Sequence, residues 1–238
     1  MPERLASLES IQLEAGCHCV PGNGIVHACV MEAVSYIAGE PWSDHPQCAS
    51  PVIAAFLRAW NEALPDEDRD RLLKPLIPRL VGTRESARVE TKRSWMAADW
   101  LVREYAPAFL RLAGLSTHAE TLEGLVPLTT AARARAAQAA LTAAGDAARD
   151  AARAAARDAA RAAAWVAAWD VAWAAAWAAA KDAAWAVAGT AAWDAAWAAV
   201  GDAAWATVKD DARDALSATV QALQGQALLL LERMIEVT

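Results

Sequence analysis

All-α is the fold class this sequence predicts, on three observations. Ala, the best helix former, dominates the second half of the chain, where Gly is sparse. The first half carries apolar faces at helical spacing, punctuated by Ser, Pro and Gly at the ends expected of helices. No convincing apolar/polar alternation of a strand is found in either half. The expected organisation is a small helical N-terminal domain over 1–115, a linker over 116–130, an Ala/Trp tetrad-repeat helical array over 131–215 and an amphipathic C-terminal helix over 216–238.

Asn23-Gly24 precedes a first helix expected over Ile25 to Ala38, with Val26, Val30, Ala33 and Ile37 on one face and Gly39 ending it. Ser50 as N-cap with Pro51 at the first helical position opens a second helix to about Leu64, burying Ile53, Phe56, Leu57 and Trp60. Asp66 to Leu73 reads as a third, interrupted at Pro75 and again at Pro78. A long helix follows from about Glu85 to Leu112, carrying Trp95, Trp100, Leu101, Tyr105 and Leu110, with a kink at Pro107, whose ring cannot continue the backbone ladder. Helix is expected again from about Thr130 onward, and a closing helix from Leu216 to Val237 places Leu223, Leu228, Leu230, Leu231, Met234 and Ile235 on a second amphipathic surface.

The array is built from tetrads, one of Arg, Trp, Lys or Gly followed by Asp or Ala and then two residues that are mostly Ala, as in Trp193-Asp194-Ala195-Ala196. Arg149, Arg153, Arg157 and Arg161 precede Trp165, Trp169, Trp173 and Trp177 on the same lattice, and Trp185, Trp193, Trp197 and Trp205 continue it. Four residues advance about 400°, so each tetrad drifts about 40° around a straight helix. The indoles from Trp165 to Trp177 can face one partner, and by Trp205 the row has travelled right around. Gly189-Thr190 and Gly201-Asp202 are the candidate breaks. Arg over indole faces is the contact expected between the basic and aromatic stretches, worth about 0.5–2 kcal/mol per pair. The regularity also has a genetic reading, because Arg, Trp and Gly codons can differ in one base and slippage of a short unit writes such an array.

A net charge of −7 argues against nucleic acid, and Asp146, Asp150 and Asp158 offset the basic residues from Arg149 to Arg161. Asp170 and Lys181 interrupt the most apolar stretch before it reaches the roughly 20 residues a membrane span needs. Integral insertion is therefore not expected, although a Trp face leaves room for peripheral membrane binding. Met-Pro-Glu-Arg opens no apolar segment of a secretory signal, so a cytoplasmic protein with thiols or metal-ligating cysteines is the expectation.

All four cysteines and three of the four histidines fall between Cys17 and Cys48. Mixed thiolate and imidazole ligands are what a tetrahedral zinc site uses, and His18, Cys29, His45 and Cys48 are the candidate ligands. The spacing is not that of paired C-x-x-C, and Cys17 and Cys19 flank His18 tightly. The same residues permit a thiol enzyme, with Cys29 or Cys48 activated by His45 or His18 and oriented by Asp44 or Glu32. Glu32 lies one turn after Cys29 and shares its face. The bland alternative makes Cys29 a small core residue, places Cys48 beneath the Ser50 cap, and reads Ser43-Asp44-His45-Pro46 as a capped turn.

The runs Cys29-Val30-Met31-Glu32-Ala33, Ala38-Gly39-Glu40, Ser43-Asp44-His45-Pro46, Cys48 and Ser50-Pro51-Val52-Ile53, with Ile77 to Thr83 and Ser94 to Val102, resemble the opening of a family of actinobacterial and phage proteins of unassigned function. The resemblance covers about the first 115 residues and implies no activity, fold or ligand. A His near position 18 is frequent in that family, which draws His18, Cys29, Glu32 and Cys48 together as a constellation. The expected function is a non-enzymatic helical protein whose array mediates self-association, as a homo-oligomer, or binds a protein partner. The alternative is a metal- or thiol-dependent enzyme centred on the N-terminal Cys/His cluster.

Overall fold

Helix dominates the computed structural model, which describes residues 7–16, 26–155 and 210–238, as the all-α expectation requires. A short parallel strand pair is added, β1 (Ile11–Leu13) with β2 (Val26–Ala28), in the register Ile11 to Val26, Gln12 to His27 and Leu13 to Ala28. The expected helix from Ile25 is corrected here. Val26 to Ala28 are drawn into the strand pair, Cys29 is still extended, and α1 spans Val30–Ala38. Gly39 ends it as expected, in the left-handed conformation that Gly adopts without a Cβ penalty.

α2 (Pro51–Ala63) begins where the Ser50-Pro51 signal placed it. The Ser50 hydroxyl accepts from the Ile53 amide at 3.2 Å and donates to Glu90 at 2.5 Å. Ile53, Phe56, Leu57 and Trp60 are all buried. α3 (Asp66–Leu73) opens with Asp66, Glu67 and Asp68, charges that suit the positive end of a helix dipole. Its Arg69 is buried and turns back to the end of α2, donating to the Asn61 and Leu64 carbonyls at 2.9 and 2.5 Å. Those carbonyls have no continuing helix to bond, and the guanidinium supplies the donors. A 3₁₀ turn (Lys74–Leu76) and the short α4 (Ile77–Leu80) follow, each with Pro near its start, where a missing N–H costs nothing.

α5 (Ala87–Trp100) runs into a π-helical turn (Leu101–Tyr105) and then α6 (Ala106–Leu112). Where a kink at Pro107 is expected, a widened turn stands just upstream and accommodates a ring that would otherwise meet the preceding carbonyls. Trp100, Tyr105 and Phe109 pack as a row, with ring centroids 5.2 and 5.1 Å apart. α7 (Ser116–Glu123) packs on α6, and Arg111 closes the pair with a two-point ion pair to Glu123. Thr130 caps α8 (Ala131–Ala155), accepting from the Arg133 amide at 3.3 Å. Ala134, Ala137, Leu141, Ala144 and Ala148 are buried along α8, a three-four alternation in which Ala is the usual residue. α9 (Asp210–Glu236) is the closing helix.

Two units are formed, one by the described residues up to Glu90 together with Leu231–Thr238, the other by those between Thr91 and Leu230. The core of the first holds Ile11, Leu13, Met31, Val34, Ile53, Phe56, Leu57 and Leu80, joined by Leu231 and Met234 from the end of α9. The second holds Val102, Phe109, Leu110 and Leu122. Among the described residues no helix is long and apolar enough to cross a membrane.

Candidate functional site

Cys29 stands at the N-terminus of α1, and its geometry is that of a helix cap. Its sulfur accepts from the Glu32 amide at 3.4 Å, while the Glu32 carboxylate accepts from the Cys29 amide at 2.7 Å. This is a capping box with a thiol where Ser or Thr is usual. Both side chains are buried. Burial above all, and then the neighbouring carboxylate, pushes the Cys29 thiol far above its ordinary range. A thiol so placed is protonated at neutral pH, and the nucleophile in cysteine chemistry is the thiolate.

Asn61, fully buried on α2, locks the approach to this cap. It accepts from the Val30 amide at 3.1 Å and donates to the Glu14 carbonyl at 2.8 Å, so one side chain joins the end of β1 to the start of α1. β1 is held on its far side by Asp70, which accepts from the Leu13 amide at 2.9 Å. His27, one of the clustered histidines, pairs with Glu14, Nδ1 to Oε1 at 2.6 Å. The sequence signal for Asn61 was available: it is a polar residue one position beyond Trp60 on a helix otherwise buried along Ile53, Phe56 and Leu57.

The second cluster member lies in the loop after α1. Ser43 accepts from the His45 amide at 3.0 Å, which makes Ser43-Asp44-His45-Pro46 the capped turn of the bland alternative. His45 Nδ1 lies 2.7 Å from Asp44 Oδ1, an exposed pair in which the carboxylate orients the ring. Arg58 ties the turn to α2 by donating to the Asp44 carbonyl at 3.0 Å. Cys48 is half-buried, and burial followed by its hydrogen bond to Glu40 pushes its thiol up as well. Its carbonyl accepts from the Gly82 and Arg84 amides, each at 3.1 Å, so its backbone joins the loop after α4.

The four proposed zinc ligands therefore stand as follows. Cys29 and Cys48 are unbridged thiols engaged with Glu32 and Glu40, and His45 is engaged with Asp44. Among the described residues no three His, Cys, Asp or Glu side chains gather as a ligand set, so Cys29, His45 and Cys48 do not form one by themselves. His18, Cys17 and Cys19 lie outside the described residues. Of the interaction residues, Arg149 is described and pairs with Asp146 on its own helix. Arg153 is described in its backbone alone, while Arg157, Arg161, Trp165, Trp169, Trp173, Trp177, Trp185, Trp193, Trp197 and Trp205 fall outside the described residues. Compared with known proteins, the chain matches no family model, no curated protein and no solved structure.

Proposed function

We propose that this is a non-enzymatic helical interaction protein whose Ala/Trp array mediates self-association, as a homo-oligomer, or binding of a protein partner. The observation that carries the reading is the array's composition: eight Trp from Trp165 to Trp205 on a four-residue lattice, set among Ala. A contiguous apolar surface of that kind marks an interaction site when it is exposed, and Ala between the indoles lets neighbouring backbones come close. α8, the first stretch of the array, supports the reading, since its buried stripe of Ala134, Ala137, Ala144 and Ala148 is of the same close-approach type. So does the employment of Cys29 and Glu32 in capping α1. A net charge of −7 favours a protein partner over nucleic acid. A cytoplasmic setting belongs to the same reading, because Cys29 and Cys48 are unbridged, as thiols in a reducing compartment are. The resemblance of the first 115 residues to the actinobacterial and phage family adds no activity to it.

The test is light scattering on the full chain across a concentration series, beside a variant with Trp165, Trp169, Trp173 and Trp177 all changed to Ala. A concentration-dependent oligomer that the variant loses is expected. A strict monomer at every concentration, with no effect of the substitutions, removes self-association. Elemental mass spectrometry on the same sample addresses the metal-dependent alternative, which requires about one zinc per chain, the stoichiometry of a single tetrahedral site.

A further inference from the structure

We infer that the first unit carries a slot for one amphipathic helical segment, filled in this chain by its own Leu231–Thr238, and that the slot takes the same segment from a second copy of the chain. None of the residues involved lies in the Trp row from Trp165 to Trp205. Leu231–Thr238 belongs to the first unit, although the whole of Thr91–Leu230 stands between it and the rest of that unit in the chain. Its Leu231 and Met234 are fully buried, and a spacing of three puts them on one face of the helix. Between them Glu232 pairs with Arg79 of α4 at 3.3 Å. Both charged side chains are more than two-fifths exposed, so the pair lies at the rim of what the two apolar residues fill. On α4, Ile77 and Leu80 flank Arg79 in sequence and are fully buried too.

Apolar anchors at i and i+3, with a charged contact at the edge, are the means by which a groove recognises an amphipathic helix. Here the recognised segment is part of the same chain. Its covalent link to the other residues of the unit runs through Thr91–Leu230, so it occupies the slot as a tethered ligand does, favoured by effective concentration rather than by attachment at the site. A second copy offers an identical segment. Leu231, Glu232 and Met234 of that copy meet the same apolar surface and the same Arg79, and each contact given up within one chain is regained between two. Exchange of an identical element is therefore a low-cost route to a dimer, favoured as the chain is concentrated.

The experiment mixes two full-length chains, one with a benzophenone amino acid in place of Glu232, the other unsubstituted and isotope-labelled. The rim position leaves Leu231 and Met234 as they are. After brief warming and cooling at a series of concentrations, the mixture is irradiated, digested and read by mass spectrometry. Crosslinks from position 232 to the labelled chain's peptide containing Arg79 are expected, in a yield that rises with concentration. Crosslinks to α4 of the same chain alone, at every concentration, overturn the exchange. A free peptide of Gln226–Thr238 in about tenfold excess should lower the interchain yield about tenfold by competition, and the same peptide with Leu231→Asp and Met234→Asp should leave it unchanged. Equal effects of the two peptides overturn the slot. The interchain yield should also persist when both chains have Trp165, Trp169, Trp173 and Trp177 changed to Ala, which separates this surface from association through the array; a yield lost with those indoles overturns it.

Discussion

Cys29 has two consequences at the scale of the single residue. Its sulfur and the Glu32 carboxylate satisfy backbone amides that the first turn of α1 leaves without intrahelical partners. Cys29→Ala removes one acceptor and should lower stability by about 1 kcal/mol in denaturant titrations, whereas Cys29→Ser keeps a better one and should not. The same thiol makes the fold sensitive to alkali. Its folded pKa is raised above that of the unfolded chain, so its contribution is complete below the unfolded value and is lost as pH climbs above about 8.5. Cys29→Ser should flatten part of that alkaline decline, with Tyr105, whose phenol burial also pushes up, accounting for another part. Asn61 is a different kind of residue, since nothing replaces it. Asn61→Ala leaves the buried Val30 amide without its acceptor and the part-buried Glu14 carbonyl without its donor, and a loss of about 2 kcal/mol in chemical denaturation is expected.

Helix ends are where the elements of this protein are decided. Ser50 serves α2 as cap and Glu90 as donor, so Ser50→Ala should cost about 1–2 kcal/mol, measured as a fall in midpoint at unchanged slope. α6 and α7 are joined by Arg111 and Glu123, and the hydrogen bonds from Arg111 hold the Glu123 carboxyl below its ordinary range. A depressed folded pKa means stability present above the unfolded carboxylate value and lost as pH falls through the folded one. Both side chains are more than a third exposed, so the effect belongs with surface pairs, about 0–1 kcal/mol. Acid titration of Glu123→Gln should show a correspondingly shallower decline below pH about 4. The π-helical turn at Leu101–Tyr105 is the element-scale answer to Pro107: a helix that has already committed Tyr105 and Phe109 to one aromatic row widens by a residue and continues.

For the whole molecule, the array is internal to the chain: α8 is its first stretch, α9 begins at its end, and the last residues of α9 belong to the first unit. Replacing Arg149, Arg153, Arg157 and Arg161 together by Lys keeps the charge and removes the planar group that stacks on indole. Sedimentation velocity should then report weaker assembly, by tenfold or more in dissociation constant, if about 0.5–2 kcal/mol per pair is at stake. Unaltered assembly would count against Arg–indole contacts.

What could be read from the sequence was what neighbours along the chain determine. Ser50-Pro51, Gly39, Asp66 to Leu73, Thr130 and the buried face of Ile53, Phe56, Leu57 and Trp60 were all legible, because capping, propensity and helical periodicity act within a few residues. The pairing of Ile11–Leu13 with Val26–Ala28 was not, since three-residue strands are too short to display alternation and exist only through each other. That pairing moved the start of α1 to Val30 and so turned Cys29 from a residue within a helix into its cap. The cluster of cysteines and histidines was visible in one dimension, but its members take separate partners in three: His27 with Glu14, His45 with Asp44, Cys48 with Glu40 and Cys29 with Glu32. The return of Leu231 and Met234 to a core begun more than two hundred residues earlier belongs to tertiary structure for the same reason. An amphipathic pattern specifies that a face is to be buried, and only the folded chain specifies against what.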